Sequence, residues 1–347
     1  MAEVCFAAPG DPDTLTGGYL YNKRVQAELA NSGWTVHAVR LPDAFPFPET
    51  SDLEEAARCL AVGRAEDLVV IDGLAFGAFT ENVISRIHSR IVALVHHPLA
   101  EESGLDKELA ARLCESERGA LAHAAGVVVT SPHTRAALID RYGVPAEKIA
   151  VAVPGVDRPN VSRAPAAAPN ILSVGSLTAR KGHDTLLHAL GAIRDLDWFA
   201  TIVGSDVRDP AVAEQLIALR ADLGLADRVQ FVGERQELGA FYAGATVFAL
   251  ATRHEGYGMV FSEAMVHGLP IVSCRVGAVP DTVPEGAGVL VPPDDPDVFA
   301  GALRRMLTDA PFRNRCTAAS LAAGEELPTW KETARAFAGK LREVAAA

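Results

Sequence analysis

The chain is predicted to fold as two doubly wound α/β domains, each built on a parallel sheet. Short apolar runs alternate with helical stretches, and strands separated by helices pair in parallel through crossover connections. The alternation restarts midway, after the segment V-S-R-A-P-A-A-A-P at 161–169, whose Ala and Pro content and near absence of charge mark a linker. The chain has 347 residues, of which 49% are hydrophobic and 22% charged, enough to bury the cores of about two domains.

In the first half, strands are expected at 4–8, 35–40, 67–72, 91–96 and 126–130. Helices are expected at 19–32, where Gly33 ends the run, and at 107–123 and 132–141. The second half reads as strands at 170–174, 198–203, 229–232, 247–251 and 270–274. Helices at 184–193 and 212–223 lie between them, and a last helix is expected at 329–346. This gives domains at 1–163 and 164–328. Open sheets of this kind bind ligands beyond the carboxyl ends of their strands, so chemistry-bearing residues matter most there.

The net charge of −12 argues against a nucleic-acid partner, which requires clustered Lys and Arg. It gives no general attraction to anionic lipid, so membrane contact is expected to be peripheral at most. No run of 18 apolar residues is present, and M-A-E-V-C-F-A-A-P-G reads as a first strand rather than a signal peptide. Five cysteines are scattered, with no C-x-x-C pair, which fits reduced thiols and a cytoplasmic location.

The most informative stretch is H-E-G-Y-G-M-V-F-S-E-A-M-V-H-G-L-P-I-V-S-C-R-V-G-A-V-P, from His254 to Pro280. Glu255 and Glu263 stand eight apart. Gly256 and Gly258 let backbone approach a ligand. A helix is expected over 259–267, ended by Gly268, with a buried strand after it. Glu255 then sits in a loop at a helix N-terminus, with Glu263 about two turns down. The amides of Gly256, Tyr257, Gly258, Met259 and Val260 suit phosphate, and the carboxylates suit sugar or ribose hydroxyls. That pairing points to a nucleotide-sugar. The competing reading is an ordinary loop–helix–strand unit with two solvated glutamates.

Other segments fall at strand ends. G-S-L-T-A-R-K-G, from Gly175 to Gly182, places Arg180 and Lys181 before a helix, where a cation neutralises a departing diphosphate. It is not a Walker A loop, because Gly182 follows Lys181. Thr16-Gly17-Gly18 follows the first strand, but a full G-x-G-x-x-G is absent, which argues against NAD. V-H-H-P ends the strand at 91–96 and places His96 at its edge, suited to a sugar hydroxyl. No third ligand accompanies His96 and His97, and H-E-x-x-H fails at Gly258, so no metal site is expected. Val232-Gly233-Glu234-Arg235 closes a further strand. Asp294-Asp295 lies in a Pro-rich turn and reads as solvated.

The E-x7-E stretch, with E-G-Y-G, S-E-A-M, G-L-P-I-V and G-A-V-P-D, resembles the signature of retaining GT-B glycosyltransferases, family 4 in particular. The resemblance extends over nearly the whole chain. It implies the GT-B fold: two Rossmann-like domains facing a cleft, with a C-terminal helix at about 329–347 crossing back to the first. It implies a retaining, metal-independent hexosyl transfer from a nucleotide-sugar, UDP- or GDP-linked, to the hydroxyl of a small molecule or glycan, with front-face attack and no cofactor. It assigns Glu255, His96 and Lys181 to catalysis. Gly17, Gly18, Arg180, Gly233, Arg235, Glu263 and residues 256–260 are assigned to substrate binding. Family members often carry Arg directly after the first glycine of the phosphate loop; Ser176 stands there instead, and Arg180 is the residue placed to compensate. Sugar-nucleotide epimerisation, phosphorolysis and silent nucleotide-sugar binding are the alternatives.

Overall fold

The computed structural model describes residues 2–102, 104–159 and 168–347. The chain divides into two compact units, Met1–Gly155 with Pro328–Ala347, and Val156–Leu327. Most of the stretch read as a linker, residues 160–167, lies outside the described residues. The division falls ahead of it, where Arg158 is already fixed in the second unit. Its guanidinium donates to the carbonyls of Gly324, Glu325 and Leu327. These close the helix Ala310–Glu326, whose last carbonyls have no intrahelical donor.

The first unit holds six strands: β1 (Ala2–Pro9), β2 (Trp34–Leu41), β3 (Leu68–Asp72), β4 (Arg90–Val95), β5 (Gly126–Val129) and β6 (Ile149–Val151). Their order is β2-β1-β3-β4-β5-β6, and every pair is parallel. The central strands read L-V-V-I-D and G-V-V-V and are buried along their whole length, as a sheet covered on both faces requires. The returning helix Trp330–Ala346 packs into this unit: Phe337 stacks on Phe6 of β1 at 6.2 Å, and Trp330 meets Tyr21 edge-on at 5.9 Å. Thr329 and Glu332 form the capping box that starts it.

The second unit also holds six strands: β7 (Asn170–Val174), β8 (Phe199–Val203), β9 (Val229–Phe231), β10 (Val247–Leu250), β11 (Ile271–Cys274) and β12 (Gly288–Val291). Their order is β12-β11-β10-β7-β8-β9, again parallel. Strands β6 and β12 were not among those expected. They are three and four residues long and lie at sheet edges, too short to carry a period.

Both sheets reverse direction once. In the first, strand order turns at the β1/β3 boundary; in the second, at β7/β10. At such a point the helices that follow the two strands lie on opposite faces of the sheet, and a crevice is expected beside their connections. Each unit therefore has one place where its topology favours a ligand.

One buried group links the first unit to pH. Glu117, on the helix Lys107–Ala122, is 1% exposed and accepts the Leu99 amide at 3.0 Å. Burial pushes its carboxyl up to about 8, against the opposing pull of Leu99; Glu101, Arg141, Tyr142 and Cys114 are the ionisable groups around it. Its native-state pKa is raised, so between about 4.5 and 8 the folded chain keeps a proton that the unfolded chain releases. Stability attributable to Glu117 must therefore fall as pH rises through that window, by at most about 1.4 kcal/mol per pH unit. Glu117→Gln is expected to be more stable than wild type at pH 8 and equal to it near pH 4. Urea unfolding across pH checks this, and a stability gap that does not close on acidification would contradict it.

Candidate active site

At the β7/β10 crevice, two loops are joined along their length. The first runs from Gly175 to Gly182, and the second follows β10 through Ala251 to Gly258. The Arg253 amide donates to the Arg180 carbonyl at 2.8 Å, and the Thr252 hydroxyl reaches the same carbonyl at 3.1 Å. Gly182 adopts φ +62°, and a Cβ placed there would lie 1.9 Å from the Ala251 carbonyl oxygen. Only glycine permits that approach. The Arg253 guanidinium ties the pair down from outside through Asp184 and Asp294, each at 2.7 Å. The Asp294-Asp295 pair is thus not simply solvated: Asp294 takes this ion pair, and Asp295 caps the helix Pro296–Thr308.

The joined loops bring Glu255 and Lys181 into contact. Lys181 Nζ donates to Glu255 Oε1 at 2.7 Å, Thr252 Oγ1 donates to the same oxygen at 3.1 Å, and Arg180 lies 3.7 Å from Oε2. Glu255 is 5% exposed. Burial alone would raise its pKa, but the charges of Lys181 and Arg180 outweigh it and hold the carboxyl below its ordinary range. Arg180 also donates to the His254 carbonyl at 3.1 Å. Behind Glu255 stands the G-A-V-P segment. The Ala278 amide donates to the Glu255 carbonyl at 2.9 Å, and a Cβ on Gly277 (φ +49°) would lie 2.3 Å from that oxygen. Two cations thus face the one carboxylate Glu255, while Arg253 on the outer side is matched by Asp184 and Asp294.

Gly258 precedes the helix Met259–Val266. Amides in a helix's first turn have no intrahelical acceptor and carry the positive end of its dipole. Gly256 is buried and Tyr257 is 8% exposed; the Tyr257 hydroxyl is turned onto Ser262 at 2.8 Å, so this residue offers the crevice its backbone, not its phenol. Glu263 is the fifth residue of the helix, just over one turn in, not two. Its Oε2 accepts the Tyr242 hydroxyl at 2.7 Å, and burial raises its pKa to about 7. Gly233 has φ +71°, and its carbonyl accepts the Gly204 amide at 3.1 Å. Arg235 is exposed and donates to the Glu234 carbonyl at 2.9 Å; no hydrogen bond or ion pair found among the described residues joins it to the Glu255 cluster.

In the first unit, Gly17 and Gly18 open the helix Gly17–Asn31 beyond β1. A Cβ on Gly18 would lie 3.5 Å from the His96 ring, so the expected glycine loop and the expected histidine are neighbours. His96 Nε2 lies 3.1 Å from Asn22 Oδ1 and 3.5 Å from Asp72 Oδ2. Beside this cluster a cavity of about 530 Å³ is lined by Asn22 together with Tyr19, Lys23, Gln26 and Arg40. Among the described residues, no group of three or more His, Cys, Asp or Glu side chains is placed to hold a metal ion, and no helix is long and apolar enough to cross a membrane.

Thr252, Tyr242 and Asn22 were not among the expected site residues; Asp72, at its strand end, reads from the sequence only as a residue that could face an acceptor, with no motif to support it. Thr252 stands just past a strand end of the second crevice, where topology places ligand-facing residues. Tyr242 and Asn22 face inward from helices and carry no local signal.

Two family models match the chain in tandem. A model described as Glycosyltransferase Family 4 covers residues 3–158, and one described as Glycosyl transferases group 1 covers 168–309. A D-inositol 3-phosphate glycosyltransferase of Corynebacterium diphtheriae is 31% identical over 233 residues, 61% of this chain and 54% of that one. A GDP-mannose-dependent alpha-(1-6)-phosphatidylinositol monomannoside mannosyltransferase of Mycobacterium tuberculosis is 34% identical over 243 residues, 62% of this chain and 61% of that one. The matched region thus spans just over half the length of these curated relatives. Among solved structures, a sucrose-phosphate synthase from Thermosynechococcus elongatus superposes with TM-score 0.85 at 23% identity, covering 100% of both chains. Anabaena HepE in complex with UDP and glucose superposes at 0.78 with 17% identity, covering 99% of this chain and 100% of that one. These two likenesses establish the fold.

Proposed function

The chain belongs to the family-4 glycosyltransferases of GT-B fold, and from that premise we propose that it moves a hexosyl group from a nucleoside-diphosphate sugar to an acceptor hydroxyl. The observation that carries this reading is the buried Lys181–Glu255 pair at the β7/β10 crevice, with Arg180 beside it and a helix N-terminus adjoining. A diphosphate entering there meets the cationic heads of Lys181 and Arg180 and first-turn amides. Lys181 and Arg180 take its charge as it departs, in place of a metal ion. Glu255 accepts hydrogen bonds from the sugar's hydroxyls, and Glu263 with Tyr242 holds the ribose.

The transfer is retaining. The bond from the anomeric carbon to the diphosphate oxygen breaks as the acceptor oxygen bonds to the same face, through an oxocarbenium-like state. The acceptor proton passes to the departing diphosphate oxygen. The acceptor, a small molecule or glycan, binds in the first unit, where the cavity beside Asn22 offers both apolar floor and charged rim.

A thermal-shift panel with UDP, GDP, ADP, dTDP and NAD tests the donor half. A ligand at a hundredfold its Kd stabilises by about 2.7 kcal/mol, so one nucleoside diphosphate is expected to raise Tm clearly and NAD is not. The matching nucleotide-sugar is then incubated with an acceptor panel, and proton NMR reads the anomeric configuration of the product. A shift with NAD alone would remove the transferase reading, and an inverted product would remove the front-face mechanism.

A further inference from the structure

We propose that Asp72 and Asn22 are positioning residues that fix His96 as the tautomer protonated on Nε2, so that its Nδ1 lone pair receives a hydroxyl of the sugar substrate. The assignment of that hydroxyl to a sugar rests on the function proposed above; the tautomer does not. Asp72 ends β3 and is 3% exposed, and Asn22 is 4% exposed. Asp72 Oδ1 accepts the Leu74 amide at 2.9 Å, and Oδ2 accepts Asn22 Nδ2 at 2.6 Å. Burial works against its charge, but the hydrogen bond from His96, that ring's charge when it is protonated, and the hydrogen bonds from Asn22 and Leu74 outweigh burial and keep the carboxyl below its ordinary range.

An ionised carboxylate only accepts hydrogen bonds, so Asn22 must turn its amide NH₂ to Asp72. Its carbonyl oxygen then faces His96. Nε2 lies between that oxygen at 3.1 Å and Asp72 Oδ2 at 3.5 Å. Both neighbours are acceptors, and an Nε2 lone pair would leave three acceptors confronting one another away from water, at a desolvation cost. The proton therefore sits on Nε2. In a neutral ring Nδ1 is then an acceptor, and no bond to it is present among the described residues.

The residue is held elsewhere too, at its ring and at its backbone. Tyr21 meets it edge-on at 5.3 Å, and the hydroxyls of Thr130 and Thr134 donate to the His96 carbonyl at 3.1 and 3.4 Å. Asn22 also lines the 530 Å³ cavity, so one side chain belongs both to the tautomer lock and to the cavity wall. A lone histidine at a strand end would sample both tautomers and several ring rotations; here two buried side chains select one.

The test has two independent arms on the full chain. In the first, ¹⁵N-histidine-labelled protein is examined by long-range proton–nitrogen NMR, with His96→Ala identifying the signal. Wild type is expected to show the Nε2–H pattern, and Asp72→Asn a mixture of tautomers. An Nδ1–H pattern in wild type would overturn the proposal, whatever the protein's activity. In the second, kcat and KM are measured for His96→Ala, Asp72→Asn and the double variant. Asp72→Asn is expected to lower kcat between about ten- and a hundredfold with little change in donor KM, and to cost nothing further once His96 is gone. Additive losses would mean that Asp72 acts through the fold and not through His96. Asn22→Ala, which leaves the Leu74 cap intact, repeats both arms should Asp72→Asn fail to fold.

Discussion

Lys181→Met is expected to lower transfer by about a thousandfold or more, the size of effect seen when a preorganised charge-stabilising donor is removed from a reacting centre. The variant keeps the length of the stem, which passes so close to Gly175 that an added Cβ there would lie 3.2 Å from it, and deletes only the ammonium. Two consequences separate this from a general loss of structure. Glu255 is 5% exposed and would keep only Arg180, at 3.7 Å, as a charged partner. Breaking a buried pair costs about 3–5 kcal/mol; with Arg180 remaining, the loss should be nearer about 2 kcal/mol. Its carboxyl should also titrate higher than in wild type, because the largest attractive charge on it has gone. The double variant Lys181→Met/Glu255→Gln should then recover much of that stability and none of the activity, since the amide no longer carries an unpaired buried charge. Urea unfolding across pH of wild type, Lys181→Met, Glu255→Gln and the double variant, alongside turnover and nucleoside-diphosphate affinity, reads these effects. Unchanged kcat/KM in Lys181→Met would remove the cation from the mechanism.

The sequence made the chemistry of the second unit more legible than its assembly. Glu255, Lys181 and Glu263 stand out because carboxylates and cations at strand ends have few structural duties, and glycines around them mark close backbone approach. What E-G-Y-G or G-A-V-P contribute physically is not visible in one dimension. The Tyr257 hydroxyl turns inward to Ser262, and Gly277 is there because the Glu255 carbonyl lies against it. The partners supplied from distant segments were the hardest to foresee. Tyr242 reaches Glu263 from another helix, and Asn22 reaches Asp72 from the helix after β1, fifty residues away in sequence. Neither has a neighbour in sequence that singles it out. The same limit explains β6 and β12, which exist because a preceding strand offers its edge, not because three or four residues specify extension. The reversal points of both sheets depend on strand order, which no local pattern encodes, and it is this order that makes the two loops after β7 and β10 one site.

Gly182→Ala is expected to abolish donor binding without touching a charged or reacting group, and a second glycine supplies the control. Gly182 and Gly143 have nearly the same backbone, φ +62° and +69°. A left-handed conformation costs a non-glycine residue about 1–2 kcal/mol by itself. At Gly143 nothing lies within 4 Å of an added Cβ, so alanine there pays only that strain and should leave turnover unchanged. At Gly182 the added carbon would stand 1.9 Å from the Ala251 carbonyl oxygen and 2.8 Å from its carbon. These atoms are backbone at the end of a fully buried strand, so they have no rotamer by which to yield. The loops must separate instead. That breaks the Arg253 amide to Arg180 carbonyl bond and the Thr252 bond to the same carbonyl, and it carries Lys181 away from Glu255. A shift of about 1 Å at a positioned group is worth about a hundredfold in rate, and here the cation and the carboxylate move apart together. Loss of kcat/KM by at least that factor in Gly182→Ala, with Gly143→Ala active and only about 1–2 kcal/mol less stable, is the expected pair of results. Equal behaviour of the two variants would mean that left-handed strain, not the contact between the loops, is what Gly182 relieves.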